Sequence, residues 1–380
     1  MRIAIVRQRY NPFGGAERFV ERALAALAAE GAEVSLITRD WAGAPQEGFR
    51  QISCNPPYSR FFAGRAARDR SFARCVQQQM ATGGFDLVQS HERIPGCSIF
   101  RAGDGVHAAW LDHRSRILNP LSQVAQRLSP YHRYVLAAEK AIFEHPALKA
   151  IICNSRMVAD EIEHYYGVDR SKLRVIYNGV DLTYFSPVVR DEFRLSQRAG
   201  LGLDKETPVL LYVGSGFERK GVPQLLQTMA LMKETKAHLV LVGADRRLKA
   251  MRQLAGQLGL ASRCHFVGPV KDVRPWYGMA DAFVLPTLYD PGPNAALEAL
   301  ACGLPMLTTP GCGAKEWIRQ GRNGFVCDPL DTPEMARMLD DLLDLRQFDE
   351  AGQASRNIVA GLDLSRMAQD LIRLYQELLV

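Results

Sequence analysis

The sequence lacks the long apolar run that would carry a chain across a membrane. None of its apolar stretches approaches the ~20 residues that span a bilayer. The stretch 1–6 is apolar, but Arg7 and Arg9 follow at once, so it is too short and too charged for a secretory signal. We therefore expect a cytosolic protein. Its 47% hydrophobic and 23% charged residues exclude a largely disordered chain.

Closely spaced cysteines are also absent. The eight cysteines are scattered and none forms a Cys-x-x-Cys pair, whereas a disulfide framework or a structural zinc site needs closer and more regular spacing. We expect reduced, mostly buried thiols, none of them an activated nucleophile. No Asp-x-Asp pair occurs either, so the sequence does not indicate a bound divalent cation.

Positive charge is in excess, and it is concentrated in one half of the chain. The net charge is +6, and residues 1–190 contain 25 Lys and Arg against 18 Asp and Glu, which is +7 and leaves −1 for the rest. This asymmetry favours an anionic partner for the first half, such as nucleic acid, an anionic membrane or a phosphorylated substrate. A basic surface that serves only solubility is the alternative.

Short runs rich in Val, Ile and Leu alternate with segments of helical periodicity along the chain. This alternation is typical of parallel sheets that helices cover on both faces. It breaks near residues 185–205 and then starts again. We therefore predict an α/β protein with two Rossmann-like, doubly wound domains, residues 1–190 and 200–364, that face each other across a cleft. A last helix, 365–380, carries one apolar stripe.

Two glycine turns follow apolar strands and lead into helices. The first contains Gly14 and Gly15, and the second, residues 214–221, contains Arg219 and Lys220. Glycine permits close backbone approach, and the start of a helix offers N–H groups that suit phosphate. The second turn fits neither Gly-x-Gly-x-x-Gly nor a P-loop, so we expect its two cations to hold a diphosphate through their side chains. Ordinary structural turns with solvated cations are the alternative.

The most specific stretch is residues 286–305. Asp290 lies on the loop after a buried strand, and Glu298 comes about a turn inside the following helix, so both carboxylates can face the cleft. Helix-start N–H groups near Asn294 and Ala295 lie between them. Carboxylates accept hydrogen bonds from hydroxyls and N–H groups bind oxyanions, a combination that suits a nucleotide sugar. Alternatively, Glu298 is an ordinary helix carboxylate.

These segments, with residues 175–181 before the break, resemble the retaining glycosyltransferases of family 4. The resemblance covers nearly the whole chain, and the second-domain motifs are highly specific in combination. Within that family, residues 10–18, 217–221 and 102–104 are similar to the enzymes that glucosylate heptose in the lipopolysaccharide inner core. The resemblance implies a GT-B fold in which the last helix crosses back onto the first domain.

The resemblance also implies roles for matching positions in the donor site. Glu298 matches the acid that holds the ribose hydroxyls. Asp290 stands at the acid that contacts sugar hydroxyls, where the family has Glu. Lys220 matches the diphosphate-binding lysine, while Ser215 replaces the usual arginine, for which Arg219 is the expected substitute.

Three further matches concern the phosphates, the base and the reacting centre. Gly14 and Gly15 match the loop that closes over the donor phosphates, and the backbone around Val270 matches the pocket that reads the base. Asp104 matches an acid near the reacting centre, with His107 as a neighbour; a polar residue with a structural hydrogen bond is the alternative for each. The residues predicted as catalytic are thus Asp104, Asp290 and Lys220.

The implied reaction is the transfer of a hexose, with UDP-glucose as the expected donor, onto an inner-core heptose or a similar envelope glycolipid. Configuration is expected to be retained. Neither a cofactor nor a metal is expected, because Lys220, Arg219 and helix-start dipoles would neutralise the leaving UDP. A GT-B sugar-nucleotide epimerase and an inactive GT-B protein that only binds glycan or lipid are the alternatives.

The acceptor is expected on the basic first half. Residues 59–74 contain three phenylalanines and five arginines, Arg60, Arg65, Arg68, Arg70 and Arg74. Such a segment suits an anionic leaflet or phosphorylated inner-core sugars, which predicts peripheral attachment to the cytoplasmic face of the inner membrane. Five more basic residues lie nearby, His113, Arg114, Arg116, Arg127 and Arg133. No nucleic-acid motif accompanies them, so nucleic acid is not expected; a solvated helix face is the alternative.

Overall fold

The computed structural model describes residues 1–10, 31–41, 50–58, 64–345 and 349–379. The chain forms two compact units. Unit 1 comprises Met1–Gly179 and Leu364–Val380, and unit 2 comprises Val180–Asp363. Within the described ranges, no helix has the length and apolar character needed to cross a membrane.

Unit 1 is built on a parallel sheet. Its strands are β1 Arg2–Val6, β3 Glu33–Thr38, β5 Arg50–Ser53, β6 Leu87–Ser90, β7 Ile99–Ala102, β8 Ala150–Cys153 and β9 Leu173–Val175, in the order β5-β3-β1-β6-β7-β8-β9. Two short strands, β2 Arg9–Tyr10 and β4 Asp40–Trp41, pair separately. The described helices are α1 Gly64–Thr82, α2 His107–Ser115, α3 Pro120–Leu128, α4 Pro130–Phe143 and α5 Arg156–Tyr166.

The apolar runs of unit 1 are buried on both faces because alternate residues of a strand point to opposite sides. In β1, Ile3 and Ile5 join one core cluster, whereas Ala4 and Val6 join the other. The last helix, α13 Leu364–Leu379, covers the first of these faces with Met367, Leu371, Leu374 and Tyr375. Helix α1 covers the second with Phe72 and Val76.

A disulfide joins Cys54 to Cys75, with Cα atoms 5.8 Å apart and a sequence separation of 21. The expectation of reduced thiols is therefore wrong for this pair. Cys54 follows β5 and Cys75 lies on α1, and the packing of α1 on the sheet brings the two together. The remaining cysteines are free and buried. Spacing along the chain could not reveal the pair, because two elements that meet only in the fold supply its cysteines.

Unit 2 contains a second parallel sheet. Its strands are β10 Val209–Val213, β11 His238–Val242, β12 Cys264–Gly268, β13 Ala282–Val284, β14 Met306–Thr308 and β15 Gly324–Val326, in the order β12-β11-β10-β13-β14-β15. Its helices are α6 Val188–Ala199, α7 Val222–Leu231, α8 Leu248–Gln257, α9 Arg274–Met279, α10 Asn294–Ala301, α11 Thr332–Leu345 and α12 Asp349–Val359. This is the strand order of a Rossmann sheet.

The boundary between the units lies at Gly179–Val180 rather than in the predicted linker at residues 185–205. Helix α6 occupies that stretch and belongs to unit 2. Its buried Arg198 donates to Asp281 Oδ2 at 2.8 Å, and Arg194 donates to Oδ1 at 2.7 Å. The Asp281 side chain is only 1% exposed, so these charge-assisted hydrogen bonds hold α6 against the residue that directly precedes β13.

Candidate active site

The topology of unit 2 predicts where a ligand would bind. Strands β10 and β13 are neighbours, but the chain leaves them in opposite directions along the sheet. Open α/β sheets bind ligands at the carboxyl ends of the strands beside such a switch point. Residues 214–221 follow β10, and residues 285–293 follow β13. The two segments with the strongest sequence signals therefore meet at this edge.

Close backbone packing joins the two segments. Leu288 N donates to Arg219 O at 2.9 Å, and the Thr287 hydroxyl donates to the same oxygen at 3.1 Å. Gly221 has φ +76°, and a Cβ at this position would lie 1.9 Å from the Pro286 carbonyl oxygen. Only glycine fits this turn, because any side chain would push the two loops apart.

Three predicted residues form one charged cluster at the switch point. Lys220 Nζ lies 2.9 Å from Asp290 Oδ2, and Arg219 lies 3.7 Å from the same oxygen. Arg219 also donates to the Tyr289 carbonyl oxygen at 2.7 Å. Burial alone would raise the pKa of Asp290, but Lys220 and Arg219 lower it below its ordinary value. Two cations thus share one carboxylate, and the surplus positive charge suits an anion.

Helix α10 begins beside this cluster. Its residues are Asn294–Ala301, and the N-cap residue Pro293 makes no side-chain capping hydrogen bond. The first N–H groups of a helix and its dipole favour negative charge. Asn294 and Ala295 occupy the first two helical positions, where the sequence predicted N–H donors.

Glu298 is buried on the same helix, only 6% exposed. Its Oε2 accepts a hydrogen bond of 2.9 Å from the Tyr277 hydroxyl. Tyr277 is not among the residues predicted from the sequence, because α9 supplies it from 21 residues away. Its signal would have been a tyrosine within an otherwise apolar helix turn that precedes a buried strand.

Val270 follows β12, at the carboxyl edge of the same sheet. The adjoining segment is held by Arg274, which contacts Asp272 at 2.6 Å and lies over the Tyr184 ring, 4.0 Å from its centroid. The segment after Val270 is therefore anchored by an ion pair and a cation–π contact. The role of the backbone around Val270 in binding the base stays a prediction.

Asp245, on the loop after β11, is a second residue that was not predicted from the sequence. Its carboxylate accepts hydrogen bonds from Phe217 N at 3.0 Å and from Arg247 N at 2.7 Å. A bond from Gly216 N helps to lower its pKa, although burial acts in the opposite direction. Arg247 also pairs with Glu218 at 3.0 Å. The backbone N–H groups at the head of the glycine turn thus bind a carboxylate of the protein itself.

Asp104 lies in unit 1, in an exposed turn directly after β7. Its charge acts to raise the pKa of Glu92, Arg93 and Arg101, although burial outweighs it at Arg101, whose pKa is lowered to about 9. Burial remains the largest influence on all three groups. Asp104 is therefore at the carboxyl edge of the unit 1 sheet, within a cluster of mixed charge.

His107 is held by neighbours that keep it neutral. Its Nε2 lies 3.0 Å from His132 Nδ1, and its backbone N donates to Glu139 Oε1 at 2.9 Å. Burial, Arg93 and His132 lower the pKa of His107 to about 3. A neutral imidazole can accept or donate a hydrogen bond to a sugar hydroxyl but adds no positive charge.

The predicted basic segment divides into surface and structural arginines. Arg65 lies over Tyr131 and Arg70 over Tyr134, with centroid distances of 4.7 and 5.2 Å. Arg68 pairs with Asp69 at 2.9 Å and is 19% exposed, whereas Arg74 is exposed. Three residues predicted to bind donor or acceptor lie outside the described residues: Gly14, Gly15 and Arg60.

Among the residues that the structure describes, no group of three or more His, Cys, Asp or Glu side chains is placed to hold a metal ion. The cationic groups at the unit 2 switch point are Lys220 and Arg219.

Two family models match the chain, and together they span most of it. A model described as Glycosyltransferase Family 4 matches residues 13–184, and one described as Glycosyl transferases group 1 matches residues 193–357. The chain belongs to the family 4 glycosyltransferases. The predicted family is thereby confirmed, and the protein is a glycosyltransferase.

Named relatives differ in their acceptors. Lipopolysaccharide glucosyltransferase WaaG of Escherichia coli K12 is 28% identical, over 89% of this chain and 88% of its own length. A D-inositol 3-phosphate glycosyltransferase of Xylanimonas cellulosilytica is also 28% identical, over 87% of this chain and 83% of its own.

A solved structure of WaaG, a glycosyltransferase involved in lipopolysaccharide biosynthesis, has a TM-score of 0.81. It is 24% identical and covers 98% of this chain and 99% of that one. The predicted α/β fold with two Rossmann-like domains of the GT-B class is thus confirmed.

Proposed function

We propose that this glycosyltransferase moves glucose from UDP-glucose onto a heptose of the lipopolysaccharide inner core or a similar envelope glycolipid. The observation that carries the donor side is the cluster of Lys220, Arg219 and Asp290 at the unit 2 switch point. The similarity to a lipopolysaccharide glucosyltransferase supports the acceptor class.

The donor diphosphate is proposed to bind to Lys220 and Arg219, with the start of α10 adding N–H donors. Asp290 holds Lys220 at 2.9 Å and Arg219 at 3.7 Å before the donor arrives, so the cations need little rearrangement. The shorter carboxylate arm of Asp290 then faces the hexose hydroxyls. Glu298 is proposed to accept hydrogen bonds from the ribose hydroxyls.

Transfer is proposed to retain the anomeric configuration and to need neither metal nor cofactor. The acceptor oxygen bonds to the anomeric carbon as the bond from that carbon to the UDP oxygen breaks. The acceptor proton passes to the leaving phosphate, and Lys220 and Arg219 stabilise the negative charge that develops there. Asp104 is the candidate group of unit 1 for orienting the acceptor.

The protein is also proposed to bind an anionic membrane surface, and α3 supplies the main support. Its apolar residues Leu121, Val124 and Leu128 are 84%, 52% and 66% exposed, and their spacing places them on one helical face. Only Gln126 of this helix is buried. Three exposed arginines lie on this helix or within five residues of its ends, namely Arg127, Arg116 and Arg133. An exposed apolar face in a basic stretch of the chain suits an anionic leaflet.

The reaction is tested by measuring UDP release from UDP-glucose with and without deep-rough core oligosaccharide. Acceptor-dependent release supports the proposal, whereas isomerisation of the donor without acceptor indicates an epimerase, and no turnover indicates a binding protein. Glu298→Ala should weaken donor binding strongly. The matched control is Glu334→Ala, because Glu334 is a half-buried helix carboxylate, far from the switch point in sequence, that pairs with Arg337.

Membrane binding is tested with vesicles that contain anionic lipid. Replacing Leu121, Val124 and Leu128 by serine should reduce vesicle binding while donor affinity stays unchanged. Replacing Arg65, Arg70 and Arg74 by glutamine tests the predicted basic segment in the same assay. Leu195→Ser is the control, since Leu195 is equally exposed on a helix of unit 2. If the α3 variant binds vesicles normally, this face has another role.

A further inference from the structure

Tyr277 occupies a fixed position beside the proposed donor site. It lies near the end of α9 and is 1% exposed. Its ring meets Phe185 edge-on at 5.9 Å and Phe283 at 6.2 Å, measured between ring centroids. Because these rings restrict its rotation, the hydroxyl of Tyr277 has one well-defined place.

That hydroxyl contacts two acceptors on the inner side of α10. The Tyr277 oxygen lies 2.9 Å from Glu298 Oε2 and 3.2 Å from the Ala295 carbonyl oxygen. A hydroxyl has one proton to donate, and the carboxylate is the nearer acceptor and carries the charge. The bond to Glu298 is therefore a buried, charge-assisted hydrogen bond, which belongs to the stronger class.

We infer that Tyr277 is a positioning residue that orients the Glu298 carboxylate for recognition of the nucleotide ribose. This inference rests on the proposed role of Glu298. A glutamate side chain has three rotatable bonds, and a helix position alone does not fix its carboxylate. The Tyr277 hydroxyl holds one carboxylate oxygen, so the plane and direction of the other oxygen are set as well. Hydrogen bonds to two vicinal hydroxyls need such a fixed direction.

The test compares binding of UDP and 2′-deoxy-UDP to Tyr277→Phe by calorimetry. Phenylalanine keeps the ring packing and removes only the hydroxyl. Loss of a hydrogen bond to a charged group should weaken UDP binding about 10-fold. Binding of 2′-deoxy-UDP should change by less than about 3-fold, because that ligand lacks a hydroxyl that Glu298 would hold. The preference for UDP should therefore fall, while kcat at saturating donor stays near the wild-type value.

Two further variants separate the inference from a general structural effect. Tyr375→Phe is the matched control, because Tyr375 is also fully buried and donates to Gln89 at 2.6 Å, but in unit 1. It should leave both dissociation constants unchanged. In a Glu298→Ala background, Tyr277→Phe should add no further loss of UDP affinity, since Tyr277 acts through Glu298.

The outcomes are distinct. If Tyr277→Phe weakens UDP and 2′-deoxy-UDP equally, Tyr277 is only structural and the inference is overturned. The same holds if the two losses add in the double variant. If Glu298→Ala retains the wild-type preference for UDP, the ribose assignment itself fails. Thermal unfolding of each variant is recorded first, and the ratio of the two dissociation constants is then measured on folded protein.

Discussion

The ion pair between Lys220 and Asp290 is expected to stabilise unit 2 measurably. Lys220 is 13% exposed and Asp290 10% exposed, with 2.9 Å between Nζ and Oδ2. At an effective dielectric constant of 20, this separation corresponds to about 6 kcal/mol of attraction. Desolvation offsets part of it, and Arg219 at 3.7 Å stays with the carboxylate when Lys220 is removed. We therefore expect Lys220→Met to lower the free energy of unfolding by about 3 kcal/mol.

The assay is urea unfolding at pH 7 of Lys220→Met, Asp290→Asn and the double variant. The pair should show a coupling energy above about 1.5 kcal/mol. Lys205→Met is the control, because Lys205 and Glu206 form a pair that is 75% and 83% exposed. That variant should stay within about 0.5 kcal/mol of wild type. Equal stability of the Lys220 and Lys205 variants would refute the reasoning.

The pH dependence of this effect has a definite sign. The folded-state pKa of Asp290 is lowered, so the unfolded chain binds the proton more readily. The stabilisation is fully present above the unfolded pKa of about 3.9, and it is lost as pH falls through the folded value. The difference between wild type and Lys220→Met should thus shrink below about pH 4. A difference that grows in acid contradicts the assignment.

Three other predictions follow from single contacts. Asp245→Ala should weaken UDP binding about 10-fold and UMP binding less, because the N–H groups of the glycine turn lose the carboxylate that accepts their hydrogen bonds. Equal losses of affinity for the two nucleotides, measured by calorimetry, would contradict this. Replacing Cys54 and Cys75 by serine should lower the free energy of unfolding by about 3 kcal/mol, as expected for a closed loop of this length. Adding a reductant should lower the urea midpoint of the wild type to that of the serine variant. If the reductant leaves the wild-type midpoint unchanged, the disulfide is absent. Burial lowers the pKa values of His238 and His265, whose Nδ1 and Nε2 atoms lie 2.9 Å apart. The unfolded chain therefore binds protons more readily, and the free energy of unfolding should fall as pH drops below about 6.5. His265→Gln should reduce that fall, and an unchanged pH profile would count against it.

The sequence predicts the position of residues that directly follow an apolar strand. Lys220, Arg219 and Asp290 each follow an apolar strand by a few residues, and parallel strands align their carboxyl ends. Their positions along the chain therefore predict a shared edge, and the structure joins them in one ion-paired cluster. The apolar stripe of the last helix likewise follows from periodicity alone.

Contacts between distant segments could not be placed in this way. Asp245 accepts a hydrogen bond from the glycine turn 28 residues away, and Cys54 bonds to Cys75, 21 residues further along the chain. The domain boundary was misplaced for the same reason, since Arg198 and Asp281 attach α6 to unit 2. A polar residue reveals nothing of its partner until the fold brings the two together.

The exposed face of α3 shows a different limit. Leu121, Val124 and Leu128 have the spacing of a buried helical stripe, and Arg127 interrupts them. From sequence alone such a stripe indicates a core contact. In the structure the helix is anchored instead by Gln126, which donates to the Leu111 carbonyl oxygen at 3.0 Å, and the stripe faces outward.

The contacts of Asp245 bear on how the donor diphosphate is bound. Backbone N–H groups that donate to the Asp245 carboxylate are not available to phosphate at the same time, so the head of the glycine turn contributes shape rather than charge. In the proposed site, the positive charge comes from Lys220 and Arg219, which pair with Asp290. In the proposed donor complex, the diphosphate would compete with Asp290 for these cations, and the carboxylate would recover them when UDP leaves. Such competition limits the affinity for the product while keeping the empty site ordered.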